Sequence, residues 1–585
     1  MPETYVSREF GGVDWGVTFL HRSEHGGYQW PLCATDGSVT ALSLGLPVGV
    51  EVAGGPVGLA RQLLAGVDIH RDVVPPFGLV ALDGDQRFAV QQDWIGMCRL
   101  FTGTADGITA FCSRPGLLAA FLHGSVEPDL DAWGSYAVCG NFGGDYSPVR
   151  GARLLRPGER VTGQRRAGGG WDLVTENRYS VDDVVLAGYA GQGRPLAESL
   201  DLAAESIVHT AGSISELFTD PISMGLSGGK DSRLIAASLI AAGRLPRLST
   251  NEDTVAEGEV ACELVRILRE KRGMEVEHRL FKSGAPANVL KSGLRERTER
   301  LQRLYDYQFP ATFLVRAAVR DRLGDDAPAA RFSGAAGELS SGYWYPADGS
   351  RTPEEEALAR LMGAVSKDLV AESAYAAEHQ RITGLLDHAK EIGLSGLHLI
   401  DYIYLVERVR RWYTSAYSIG SVTPFLSPGF VAATFGLTAE QKRERLLHNG
   451  LIARLVPEWA EVPFVSVTTG RSTATRIWEG DGVRVIADLV DTAQGPIARL
   501  IRRDAVEKAL TSAVRKGRAD QGVLRQFTYL AVASEQLEPK TVGPVTTATY
   551  TRVTAPPAAK PAKPVKSVPW LRRTRLWRTA RRLLR

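Results

Sequence analysis

The chain has 585 residues, 44% of them hydrophobic and 23% charged, and a formal net charge of +3. That length exceeds one hydrophobic core, so two or three domains are expected. No run of about 18 uncharged apolar residues occurs, which argues against a membrane-spanning helix. Cys33, Cys98, Cys112, Cys139 and Cys262 are scattered and form no CxxC pair, and the ten histidines show no HExxH spacing. A disulfide framework and a thiolate zinc site are therefore not expected. The start, MPETYVSREFGG, lacks the basic-then-apolar pattern of a secretory signal, so the expected location is cytoplasmic.

Residues 1–165 read as β-rich. GLVALDGDQRFAVQQDWIG from Gly78 holds two short apolar runs around a DGDQ turn, a hairpin signal. Short runs also lie in GITAFCS and RLLRPGERVT. From about residue 190 the texture changes, as ESLDLAAESIVHTAGSISELF, PISMGL, DSRLIAASLIAAG, PRLST and EVACELVRILREK alternate helical and strand periodicity. That alternation predicts a parallel sheet with helices on both faces. Residues 355 to about 460 read as mostly helical. Residues 551–569 are a Pro/Ala/Lys linker. Residues 570–585, WLRRTRLWRTARRLLR, predict a basic amphipathic helix suited to peripheral contact with an anionic membrane. Lys560 to Arg585 carries ten cations and no acid; without them 59 cations face 66 anions. The mildly acidic body makes a nucleic-acid partner unexpected.

The chemistry concentrates in SMGLSGGKDSRL, Ser223 to Leu234. PISMGL reads as a strand and DSRLIAASLIAAG as a helix, so Ser227 to Ser232 falls at the carboxyl end of a strand, where open α/β sheets bind ligands. Gly228 and Gly229 let backbone N–H groups approach an anion at a helix N-terminus. It is not a Walker loop: Met224 lies six residues before Lys230, and Asp231 follows the lysine. A carboxylate inside a phosphate cradle implies a bridging cation, with Asp231 as a Mg²⁺ ligand.

The stretch resembles the SGGxDS loop of the PP-loop ATP pyrophosphatases. Further residues resemble the asparagine synthetase-like members. They are EVA from Glu259, FSGAAGELSSGYWYP from Phe332, SVTPFLSPGFV from Ser421 and ARLVPEW from Ala453. DWIGMCRLF from Asp93 and RGARLLRPGERV from Arg150 resemble, more weakly, segments of class II glutamine amidotransferase domains. The resemblance implies an α/β protein. An N-terminal αββα (Ntn-type) sandwich over 1–165 would precede a doubly wound parallel-sheet PP-loop domain with a helical C-terminal part over 190–545.

It implies ATP and Mg²⁺ as cofactors. ATP would lie against Leu226, Ser227, Gly228, Gly229, Asp231, Ser232, Thr250 and Gly334, with Leu248 to Thr250 flanking the adenine. Asp231 and Glu338 would hold the metal. Three departures from the family stand out. Pro2 occupies the position of the glutaminase cysteine, so no ammonia from glutamine is expected. Gly337 stands where the second signature has an aspartate. No lysine lies between the late Leu-Pro turn and Arg471, which is the nearest replacement.

Without a glutaminase, the amine is free ammonia or part of the substrate. Relatives that lack the cysteine include β-lactam synthetases and lasso peptide cyclases, which close rings and use a Tyr–Glu pair to deprotonate the amine. In YIYLVERVRRWY, Tyr404 and Glu407 lie at i, i+3 and would share a helix face. The expected catalytic set is therefore Glu338, Tyr404, Glu407 and Arg471. The expected function is ATP-dependent adenylation of a carboxylate and amide formation, with a peptide macrolactam favoured. Expected partners are a small-molecule or peptide carboxylate substrate, a precursor peptide and a leader-recognition protein. The alternatives are an ammonia-using asparagine synthetase type, a β-lactam synthetase-like cyclase, and an inactive nucleotide-binding protein.

Overall fold

The computed structural model describes residues 5–12, 14–22, 28–51, 53–218, 222–282, 292–314, 330–347, 349–363, 365, 367–413, 420–465 and 476–537. The linker and the basic helix expected over 551–585 lie outside these residues, as does Arg471. Of the described residues, those within 5–8 and 19–537 belong to one compact unit and those within 9–18 to a second. Strands β1 (Tyr5–Gly11) and β2 (Gly16–Arg22) make a two-stranded sheet.

The β-rich reading of the first region holds, with a later boundary. A six-stranded antiparallel sheet runs in the order β11-β10-β6-β5-β4-β3. Its strands are β3 (Cys33–Asp36), β4 (Val39–Ser43), β5 (Gly78–Asp83), β6 (Arg87–Gln92), β10 (Glu159–Arg165) and β11 (Trp171–Asn177). β7 (Phe101–Ala105), β8 (Ile108–Cys112) and β9 (Arg153–Leu154) form a separate three-stranded sheet. The DGDQ hairpin is β5–β6, with Asp83 facing Arg87 across it. The six-stranded sheet continues to Asn177, past residue 165, because Gly169 and Gly170 adopt φ of +91° and +77° and turn the chain back on β10. Helices α1 (Gly55–Leu64), α2 (Pro115–His123) and α3 (Leu130–Cys139) accompany these sheets. Asp129 caps α3 by accepting from the backbone N–H of Asp131 and Ala132.

After α4 (Val181–Tyr189) and α5 (Leu196–Ser213) the chain enters a five-stranded parallel sheet. Its strands are β12 (Ser223–Gly225), β13 (Arg247–Asn251), β14 (His278–Phe281), β15 (Arg331–Phe332) and β16 (Ser421–Val422). The order is β14-β13-β12-β15-β16, and every pairing is parallel. β12 is central, and the chain builds first to one side of it and then to the other. The place where strand order reverses is thus the carboxyl end of β12, the position at which such sheets open a crevice. α6 (Lys230–Ala241) and α7 (Val255–Arg272) are the first two crossover helices. α6 buries Leu234, Ile235, Leu239 and Ile240.

Among the described residues from 353 to 455 helices predominate, as the periodicity predicts, interrupted by β16 and with one departure. Tyr404–Trp412 is a π-helix rather than the α-helix expected. Its i→i+5 hydrogen bonding widens the turn. The buried apolar residues of the two regions join one continuous cluster, in which Trp94, Trp133 and Trp459 are fully buried. Among the described residues no helix is long and apolar enough to cross a membrane.

Candidate functional site

The loop between β12 and α6 is held open by its own hydroxyls. Ser227 Oγ lies 2.9 Å from Ser232 Oγ, the Ser227 N–H donates to Ser232 Oγ, and the Gly229 N–H donates to Ser227 Oγ. Gly229 stands at the N-cap of α6 and supplies no side-chain cap. The first-turn N–H groups of a twelve-residue helix therefore point into the crevice with its positive dipole end. Gly228 is required by close approach: a Cβ there would come within 2.2 Å of Val465 Cγ2. The Val465 N–H donates to Gly228 O at 3.0 Å, so the segment after the late proline turn folds back onto the loop.

Arg233 fastens that segment. Its guanidinium donates to Val462 O, Pro463 O and Gly228 O and stacks 4.4 Å above the Phe464 ring. Among the described residues no carboxylate pairs with it, and burial lowers its pKa to about 10.

Asp231 sits in the first turn of α6. Its carboxylate accepts from Lys230 Nζ at 2.9 and 3.0 Å, and from His448 Nε2 at 2.8 Å. Burial works to raise its pKa, but the His448 hydrogen bond and the Lys230 charge win and hold it below the usual range. His448 is fully buried, and burial keeps its pKa down despite the facing carboxylate. The imidazole is then neutral, with Nε2–H donating to Asp231 and Nδ1 facing Ser340 Oγ at 3.1 Å. This chain resembles a serine triad, but Ser340 is fully buried, so no substrate carbonyl can reach it. It positions Asp231.

The second signature packs directly on Asp231. A Cβ at Gly337 would lie 2.2 Å from Asp231 Oδ1 and 2.8 Å from Phe425 Cε2. An aspartate at 337 has no room while Asp231 keeps this position. Gly334 meets the head of α6 in the same way, 3.0 Å from Asp231 Cβ. Ala336 holds φ of +69°, a conformation that favours glycine. Its N–H donates to Tyr413 Oη at 2.9 Å, and such strain concentrates at functional sites.

Glu338 follows this turn. Its Oε2 is buried and makes no hydrogen bond among the described residues. Burial first, and then the Asp231 charge, raise its pKa; Lys230 and the Tyr404 hydroxyl oppose the rise. Tyr404 Oη lies 3.3 Å from Tyr413 Oη. Burial first, and Glu338 with it, raise both phenols well above their ordinary value; Tyr413 adds to the rise of Tyr404, whereas the Tyr404 hydrogen bond opposes that of Tyr413.

The structure corrects the pairing of Tyr404 with Glu407. In the widened π-turn, residues i and i+4 align better than i and i+3. Tyr404 and Arg408 therefore face Glu338, while Glu407 turns toward the antiparallel sheets. There its carboxylate accepts from Arg381 at 2.7 and 3.0 Å and from the Gly144 N–H at 3.1 Å. Thr250 is also buried, and its hydroxyl donates to Leu226 O at 2.6 Å and sits 2.8 Å from His278 Nε2. It braces the strand that carries the loop and offers no free hydroxyl to a base. Leu226 is likewise buried, its N–H bonded to Ser249 O. Ser227, Gly228, Gly229, Asp231, Ser232, Gly334 and Glu338 do come together. Sequence reasoning missed Lys230 as a partner of Asp231, together with Arg233, Ser340, Arg408, Tyr413 and His448. Lys230 alone gave a signal, by adjacency.

Among the described residues no group of three His, Cys, Asp or Glu side chains could hold a metal ion. Comparison with protein-family models and with curated proteins finds no match.

Proposed function

We propose that the chain is an ATP-dependent ligase of the asparagine synthetase-like kind, which activates a carboxylate as an acyl-adenylate and passes it to an amine. The observation that carries this reading is the Ser227–Ser232 loop at the strand-order reversal, with the α6 N-terminus open behind it. On this reading the five-stranded sheet is a doubly wound PP-loop core, and the antiparallel sheets are a relic of the Ntn-type sandwich.

The backbone N–H groups of the loop take the pyrophosphate end of ATP. Mg²⁺ fits here as a polyphosphate complex, since it needs only one or two carboxylates beside phosphate oxygens and water. Asp231, ionised and at the head of α6, would hold it, and the ion would neutralise charge on the departing pyrophosphate. Glu338 suits proton transfer better than ligation: burial and Asp231 raise its pKa, which makes its carboxylate a stronger base. The substrate carboxylate oxygen bonds to the α-phosphorus, and the α–β bridging bond breaks to release pyrophosphate. The amine nitrogen then bonds to the acyl carbon, AMP leaves, and the amine proton passes to Glu338 Oε2. Tyr404, beside Glu338, orients the carboxyl group. A peptide macrolactam is the favoured product. An inactive nucleotide-binding protein is the competing reading, supported by the absence of room for a second aspartate at Gly337.

Titration calorimetry with ATP and Mg²⁺, and pyrophosphate release with candidate carboxylate peptides, test the proposal. Asp231→Ala should lower adenylation by about 10²–10³-fold, the usual effect of losing one transition-state charge contact. A wild-type protein that binds neither ATP nor pyrophosphate would sink the reading. Binding without turnover on any carboxylate would favour the inactive one.

A further inference from the structure

Among the described residues Arg408 is a cation beside Glu338 with no ion-pair partner. Its guanidinium lies 3.2 Å from the centre of the Trp412 ring, four residues on, so the two planes stack on one face of the π-helix. It acts electrostatically on Tyr404, Tyr413, Glu338 and Tyr343. Among the described residues it has no carboxylate within 4.0 Å and donates no hydrogen bond, unlike its neighbours. Arg410 is paired with Asp145 at 2.6 Å, and Arg411 donates to Phe142 O and Tyr146 O. Lys230, the other cation acting on Glu338, is already neutralised by Asp231.

An arginine stacked on an aromatic ring keeps its N–H edge free and its plane fixed. Holding it half-buried without a counter-charge is costly, and burial accordingly lowers its pKa. An anionic ligand would relieve that cost. Phosphate matches the planar N–H fork, which can grip two oxygens at once. The link from Arg408 through Glu338 to Asp231 and Lys230 places the guanidinium in the electrostatic field of the phosphate loop.

We propose that Arg408 receives a phosphate oxygen of the bound nucleotide, supplying the free cation that the occupied Lys230 does not. This rests on the nucleotide reading above. It makes Arg408 a ligand-binding residue set in place by Trp412.

The test is calorimetric titration of ATP and of inorganic pyrophosphate into the full chain, comparing wild type with Arg408→Gln and Arg408→Lys. Circular dichroism and melting temperature establish that each variant is folded. Arg408→Gln should weaken binding of ATP, of pyrophosphate or of both by about 10- to 100-fold, as expected for a charge-assisted phosphate contact. Arg408→Lys should lose less, because it keeps the charge and loses the fork. Wild-type affinity should also fall more steeply with salt than that of Arg408→Gln, a difference that a packing role would not produce. If wild type binds both ligands and folded Arg408→Gln binds them equally well, the inference alone falls. If wild type binds neither, the nucleotide reading falls and takes the inference with it.

Discussion

A buried glutamate on the π-helix Tyr404–Trp412, Glu407, and a half-buried one facing the helix, Glu338, are held differently. Glu407 accepts from Arg381 on both oxygens and from the Gly144 N–H, and Arg381 in turn holds Glu378, which accepts from the Cys139 thiol. Beside them Arg410 binds Gly96 O, Asp145 and Leu155 O, and Arg99 donates to the carbonyls of Arg410 and Arg411. Among the described residues, Glu338 has a buried oxygen with no hydrogen-bond partner, and the nearby Arg408 has no acid within 4.0 Å. Each arrangement buries charge, but in the first both oxygens of Glu407 and of Glu378 are bonded. A network paired in this way fixes architecture, here the seam between the antiparallel sheets and the helical region. An incompletely paired one leaves interaction energy available to a ligand.

The comparison breaks most readily at the seam. Glu407→Ala strips Arg381 of one of its two carboxylates and leaves a buried charge half paired. The expected loss is about 3–5 kcal/mol of stability, read as a lower urea midpoint. ATP affinity of the molecules that stay folded should hardly change. Normal stability together with lost amide formation would return Glu407 to the catalytic set.

Glu338→Gln should do the reverse. Its Oε2 has no partner to lose, so stability should stay within about 1 kcal/mol of wild type. Amide formation should fall by at least about 10²-fold, the contribution of a positioned general base, while ATP binding persists. A glutamine variant with wild-type rates would assign Glu338 to packing.

How much of this was legible in the sequence follows the same division. The loop, its strand and its helix are local: Gly228, Gly229, Asp231 and the apolar spacing of α6 encode them within about twenty residues. The hairpin at DGDQ was readable for the same reason. The π-helix was not, because Tyr404 to Trp412 has ordinary α-helical spacing and the widened turn answers to tertiary partners such as Arg381 and Asp145. His448 and Tyr413 reach Asp231 and Ala336 only through the fold, across 217 and 77 residues. Asp93 resembles part of an amidotransferase signature, yet its buried carboxylate accepts from the N–H groups of Phe77, Met97 and Cys98 and braces a loop.

Acid should separate neutral buried groups from paired ones. Burial lowers His70 and His398 from 6.5 to about 4 each, and it lowers His448 as well. Between pH 6.5 and 4 the unfolded chain binds these protons and the folded chain does not, so stability falls as pH falls. Each fully developed shift of this size is worth about 3 kcal/mol. Glu378 is held below 4.5, mainly by Arg381, so its contribution is lost only below that value. Unfolding free energy measured from pH 7 to 4 should therefore slope before the seam carboxylates titrate. His398→Gln should reduce the slope by about one proton.

The smallest effect tests the turn that carries Glu338. Ala336 is held at φ +69° with its N–H on the Tyr413 hydroxyl, and that hydroxyl is also the neighbour of Tyr404. Tyr413→Phe keeps the ring against Trp412 and removes only the oxygen. The buried N–H then has no acceptor, which costs about 1–3 kcal/mol if nothing replaces it. Relaxation of Ala336 toward negative φ would recover part of that, so the net loss should be about 1 kcal/mol. Relaxation also moves Glu338 relative to Asp231. The variant should therefore lose amide-forming rate out of proportion to its stability, with ATP affinity little changed. Proportionate losses in all three would mean that the strained turn serves packing alone.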